Sequence, residues 1–144
     1  DLRDKFDEVT VSTTNLTIEH VMPQRWAEHW PLGNGANASH ESSFNAMMAG
    51  IPMDDATKAL VDNRARMVDT LGNLTLITGS LNPSLGKAGW KKKREKLAGS
   101  LLALNRMVAK VEDWNEKSIE VRANSLAASV LRIWKSPIVP VGGS

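Results

Sequence analysis

The chain has 144 residues, about one domain, with 18 Lys and Arg against 16 Asp and Glu and a formal net charge of +2. Its 42% hydrophobic and 24% charged residues are ordinary for a soluble globular protein. Zero cysteines exclude disulfides, thiolate zinc sites and a cysteine nucleophile. No apolar run approaches the ~18 residues that cross a bilayer, so no membrane association is expected. The charged opening Asp1–Glu8 has no signal-peptide pattern, and the first residue is not Met. The expectation is a cytoplasmic domain spanning 1–144, the C-terminal fragment of a longer protein, with 137–144 as a tail.

In chain order, the β-branched run Thr10–Val21 reads as extended, with a strand over Leu16–Val21 closed by Pro23. Trp26–Gly50 is polar and rich in Gly, Asn and Ser, and reads as an inserted loop with at most short helical turns. Either Asp54 or Asp55 caps a helix running to about Met67. After the turn Leu71-Gly72-Asn73, Leu74–Thr78 has the length and composition of a second strand. Asn82-Pro83 reads as a helix cap followed by proline at the first helical position. Further helices are expected from near Trp90, over Leu101–Trp114, and over Ser118–Trp134. In the last, Ile119, Ala123, Leu126, Val130 and Ile133 form a stripe expected to be buried. The fold class is therefore α+β, mainly helical, with a small two-stranded hairpin.

Charge is concentrated. Between Lys87 and Lys96 six bases (Lys87, Lys91, Lys92, Lys93, Arg94 and Lys96) face the single acid Glu95, a local +5 that leaves the rest of the chain at −3. Such a segment on a near-neutral body points to a polyanionic partner, or else is a solvated helix face. Glu19-His20 at a strand end puts an acid and an imidazole on opposite faces, so that one holds a metal while the other faces substrate. Asn73 and Asn82 flank the second strand nine residues apart, an arrangement in which Asn73 pins a loop and Asn82 reaches back toward Glu19. His29 and His40 match no helical metal motif and read as loop residues. The five tryptophans read as core and loop anchors. Arg64 and Arg66 are open between DNA binding and covering their helix.

Glu19-His20-x-x-Pro23, Asn73 and Asn82 together resemble the His-Asn-His nucleases with a ββα-metal core. More narrowly, Ile18-Glu19-His20-Val21-Met22-Pro23-Gln24 and Leu71-Gly72-Asn73-Leu74-Thr75-Leu76-Ile77 resemble the C-terminal nuclease half of GmrSD-type modification-dependent restriction enzymes. Leu81-Asn82-Pro83-Ser84-Leu85, Trp90-Lys91-Lys92-Lys93-Arg94 and the Trp114…Ile119…Arg122…Leu126 helix extend the likeness across Leu16–Trp134. Lys87 departs from it, standing where the family pattern has Asn.

The resemblance implies a DNA endonuclease of low sequence specificity that serves as the effector of a DNA-modification-sensing defence system, and a single active site per chain makes nicking the simpler expectation. Glu19 and Asn82 would ligate one Mg²⁺ or Mn²⁺, His20 would be the general base, and Asn73 would brace the loop that carries it. Lys87, Lys91, Lys92, Lys93 and Arg94 would contact DNA phosphates. The implied partners are DNA and an N-terminal NTPase, modification-sensing domain in the same or a partner chain. The alternative is a catalytically weakened DNA-binding module of the same fold.

Overall fold

In the computed structural model, residues 15–79 and 85–134 are described. Strands β1 (Leu16–His20) and β2 (Leu74–Thr78) pair antiparallel, with Leu16 opposite Thr78, Ile18 opposite Leu76 and His20 opposite Leu74. Among the described residues the bounded α-helices are, in chain order, α1 (His40–Met48), α2 (Asp55–Val68), α3 (Trp90–Ala98), α4 (Ala103–Ala109) and α5 (Glu116–Ile133). Short 3-10 turns cover Trp26–Glu28 and Leu71–Asn73. The mixed helix-and-hairpin class matches the α+β expectation. The helix expected at Asn82-Pro83, which would complete a ββα unit, lies outside the described residues, as does the 137–144 tail.

The hairpin is two-faced because strand side chains alternate. On one face Thr75 and Ile77 are buried. Here the Thr75 hydroxyl donates to Asn105 Oδ1, and Asn105 Nδ2 donates to the Leu76 carbonyl at 2.8 Å and to Ser100 Oγ at 2.9 Å. This buried network fastens α4 to β2. On the other face Ile18 is 66% and Leu76 39% exposed. His20 lies on this open face, at its end.

α2 starts where Asp54 accepts from the Thr57 N–H at 2.9 Å, and α5 where Asn115 accepts from the Ser118 N–H at 3.1 Å. Val61 and Val68 of α2, Leu97 of α3, Val108 of α4 and Ile119 of α5 meet Met22, Trp26, Trp30 and Trp114 in one core. Arg64, whose role the sequence leaves open, is part of this structure: it pairs with Glu116 and donates to the Trp30 carbonyl at 2.6 Å.

Four expectations are corrected. Trp26–Gly50 holds a nine-residue helix, α1, whose N-terminus is closed by reciprocal hydrogen bonds between Ser39 and Ser42. The helix expected over Leu101–Trp114 is reduced to α4, because Arg94 Nε takes the Ala109 carbonyl at 2.9 Å and Trp90 Nε1 takes that of Glu112 at 2.7 Å. The α5 stripe is buried only at Ile119; Val130 and Ile133 are exposed, since the helix outruns the elements that cover it. Trp134 is likewise exposed rather than an anchor, while the other four indoles each donate to a protein oxygen.

Candidate active site

The end of β1 divides as strand geometry requires. Glu19 turns toward α3, where Lys93 Nζ reaches Glu19 Oε1 at 2.9 Å and the His20 carbonyl at 2.7 Å. His20 turns the other way, and its Nε2 lies 3.0 Å from Asp69 Oδ1 at the C-terminal end of α2. Gln24 Nε2 donates to the same oxygen at 2.8 Å. Donation by Gln24, and secondarily by His20, holds the Asp69 carboxyl below its ordinary value.

Asn73 is fully buried and uses its whole amide. Oδ1 accepts from the Met22 N–H at 2.8 Å and from Trp114 Nε1 at 3.0 Å. Nδ2 donates to the Met22 and Val68 carbonyls, each at 2.8 Å. An Asn side chain offers two donors and an oxygen that takes two bonds, so none of its capacity is left over. The Asn73 carbonyl also accepts from the Val21 N–H at 2.9 Å. One residue thus ties the exit of β1 to the end of α2 and to the loop before α5.

That turn is gripped from outside by α5. Arg122 donates through one terminal nitrogen to the Gly72 carbonyl at 2.8 Å and the Leu74 carbonyl at 2.7 Å. Burial holds this guanidinium below the ordinary arginine value. Gly72 is required by the approach: a Cβ there would lie 2.1 Å from the Ile119 carbonyl oxygen and 2.9 Å from Ala123 Cβ.

The basic segment does not form a single face. Lys87, Lys91 and Lys92 are exposed, and Lys87 borders a polar cleft with Gln24, Arg25 and His40. Lys93 corrects the expectation of a phosphate contact. On α3 positions 90, 93 and 97 share the inward stripe, so Lys93 is buried with only 1% of its side chain exposed. Burial holds its ammonium below the ordinary lysine value, and Glu19 opposes that shift. Arg94 is half-buried with its Nε committed to Ala109.

Asn82, the other expected metal ligand, lies outside the described residues. Among the described residues no group of three or more His, Asp or Glu side chains is arranged to hold a metal. Lys93 bonds to one Glu19 carboxylate oxygen, Oε1, and a carboxylate is the oxygen-donor type that suits a hard cation completed by water and phosphate oxygens. Asp69, Gln24, Lys93, Arg122 and Trp114 are the residues whose part in this arrangement sequence reasoning does not anticipate. Lys93 carries the 90/93/97 spacing as a signal, and Gln24, Trp114 and Arg122 stand in the blocks that resemble the restriction-enzyme family, whereas Asp69 has none.

The hairpin end thus carries an acid and an imidazole that diverge from one strand, with a buried Asn bracing the backbone beside them. The profile of the family described as GmrSD restriction endonucleases, C-terminal domain, matches residues 1–129. The chain belongs to that family, and its coarse activity is that of a nuclease domain. Among curated proteins and solved structures none matches. No helix among the described residues is long and apolar enough to cross a membrane.

Proposed function

We propose that the chain is a metal-dependent DNA endonuclease domain of the His-Asn-His type, nicking its substrate with little sequence preference. The observation that carries this reading is the divergence of Glu19 and His20 from the end of β1, in a chain of restriction-endonuclease family. Glu19 and Asn82 would hold one Mg²⁺ or Mn²⁺, which when bound supplies electrostatic stabilisation of the phosphate and the leaving oxygen. His20 accepts the proton of the attacking water. The water oxygen bonds to phosphorus, the P–O3′ bond breaks, and the 3′ oxygen leaves with its electron pair.

Asn73 does not touch substrate; it fixes the backbone at Met22, two residues beyond His20. Lys93 holds the Glu19 carboxylate and the His20 carbonyl from behind the strand. Lys87, Lys91 and Lys92, with what remains free of Arg94, bind backbone phosphates. The domain works in the cytoplasm as the effector of a defence system whose N-terminal NTPase domain senses modified DNA. A DNA-binding module without cleavage is the second reading, favoured by the ammonium already seated on Glu19.

Conversion of supercoiled plasmid to open circle is the test, run with Mg²⁺ or Mn²⁺, with EDTA, and with His20→Ala. Open circle that needs both metal and His20 supports the nuclease. DNA retention without cleavage at either metal supports the binding module.

A further inference from the structure

We infer that Asp69 is a positioning residue that locks His20 in the tautomer protonated at Nε2, leaving Nδ1 as the atom that takes the proton from water. The inference rests on the proposed role of His20 and specifies the atom that performs it.

Two donors converge on one oxygen. Gln24 Nε2 and His20 Nε2 stand 2.8 and 3.0 Å from Asp69 Oδ1. A carboxylate accepts and cannot donate, so the imidazole nitrogen facing it must carry hydrogen. In a neutral ring the other nitrogen then holds the lone pair. Among the described residues Nδ1 has no hydrogen-bond partner. Gln24 keeps the carboxylate from swinging away, and Gln24 itself follows the β1 exit that Asn73 fixes at Met22.

The location of Asp69 supports a role at His20 over one in folding. It is the C-cap residue of α2 and 62% of its side chain is exposed. A negative charge at a helix C-terminus faces the negative end of the helix dipole and is disfavoured there. The contact it makes joins residues 49 apart in sequence, at the one imidazole that ends β1.

Long-range ¹H–¹⁵N spectra of the His20 ring in the metal-free protein read the tautomer directly, for the wild type, Asp69→Ala and Asp69→Glu. The wild type is expected to show the Nε2-protonated form alone, Asp69→Ala a mixture, and Asp69→Glu a return toward the single form. Plasmid cleavage is followed in parallel. Asp69→Ala should lower kcat at least tenfold with KM and melting temperature near wild type, the scale on which residues that orient a working group act. A wild-type ring protonated at Nδ1, or an Asp69→Ala protein with unchanged ring signals and kcat, overturns the inference. The two failures are separable. If His20→Ala cleaves like wild type, the general-base reading is lost. If His20→Ala is inactive while Asp69→Ala keeps wild-type kcat, only the role of Asp69 is lost.

Discussion

Asn73→Asp changes almost nothing in shape and reverses half of the bonding. At neutral pH an aspartate retains the two accepted hydrogen bonds, from Met22 N–H and Trp114 Nε1, and loses both donated ones. Its second oxygen then faces the Met22 and Val68 carbonyl oxygens at the positions where Nδ2 stood, 2.8 Å from each. Each buried acceptor left without a donor costs about 1–3 kcal/mol, and the new charge is buried without a cation. The total destabilisation is about 4 kcal/mol by that scale. For a domain of this size the loss corresponds to about 10–15 °C in Tm. Burial raises the pKa of the new carboxyl, and its protonated form can donate once more. A group whose folded pKa is raised stabilises at low pH and loses that contribution as pH rises, so the deficit against wild type shrinks on acidification. Thermal unfolding followed by tryptophan fluorescence at several pH values is the assay. A Tm within about 3 °C of wild type at neutral pH would refute the reasoning, since that corresponds to only ~1 kcal/mol.

Other substitutions probe the remaining interactions. Gly72→Ala places a methyl group against the Ile119 carbonyl and must displace α5, so calorimetry should show a Tm loss comparable with that of Asn73→Asp. Lys93→Ala leaves Glu19 without its ammonium partner and should destabilise the fold by about 3 kcal/mol in urea titrations, more than Lys91→Ala, which should sit within ~0.5 kcal/mol of wild type. Lys91→Ala with Lys92→Ala should flatten the slope of log affinity for duplex DNA against log salt by about 0.9 for each DNA phosphate no longer neutralised, at unchanged Tm. Asp54 has its carboxyl held below 3.8 by hydrogen bonds from Thr57. A depressed folded pKa gives stability that is present above 3.8 and lost as pH falls through the folded value. Asp54→Asn should therefore keep α2 capped at neutral pH and show a shallower loss of Tm on acidification.

How much of the structure is legible in the sequence depends on range. Leu74–Thr78 and the Leu16–His20 core of the first strand are visible because β-branched and apolar residues are bounded by turn residues. α2 is visible through its Asp54 cap. α1 escapes a sequence reading because its capping pair is Ser39–Ser42, without the acid that marks most such starts, and its Phe44, Met47 and Met48 face outward. The α5 periodicity names the correct face but not where its cover stops, so Ile119 is buried while Ile133 is 69% exposed. Glu19, His20 and Asn73 are marked by motif and stand together at the hairpin end, whereas Asn82 falls outside the described residues. Lys93 sits among charged neighbours in the sequence, although helical spacing sets it inside with Trp90 and Leu97. Asp69 has no local mark at all, because its interaction with His20 exists only after α2 and β1 are brought together.

In the proposed function Glu19 and His20 do different work from opposite faces of one strand. Mn²⁺ affinity measured calorimetrically, together with single-turnover cleavage, for His20→Ala and Glu19→Gln tests it most directly. Glu19→Gln keeps an oxygen that accepts from Lys93 but leaves its buried ammonium without a counter-charge, so both variants are assayed well below their measured melting temperatures. His20→Ala is expected to bind Mn²⁺ like wild type without cleaving, and Glu19→Gln to lose both. Wild-type cleavage by His20→Ala, or undiminished Mn²⁺ affinity in Glu19→Gln, would contradict this division of work.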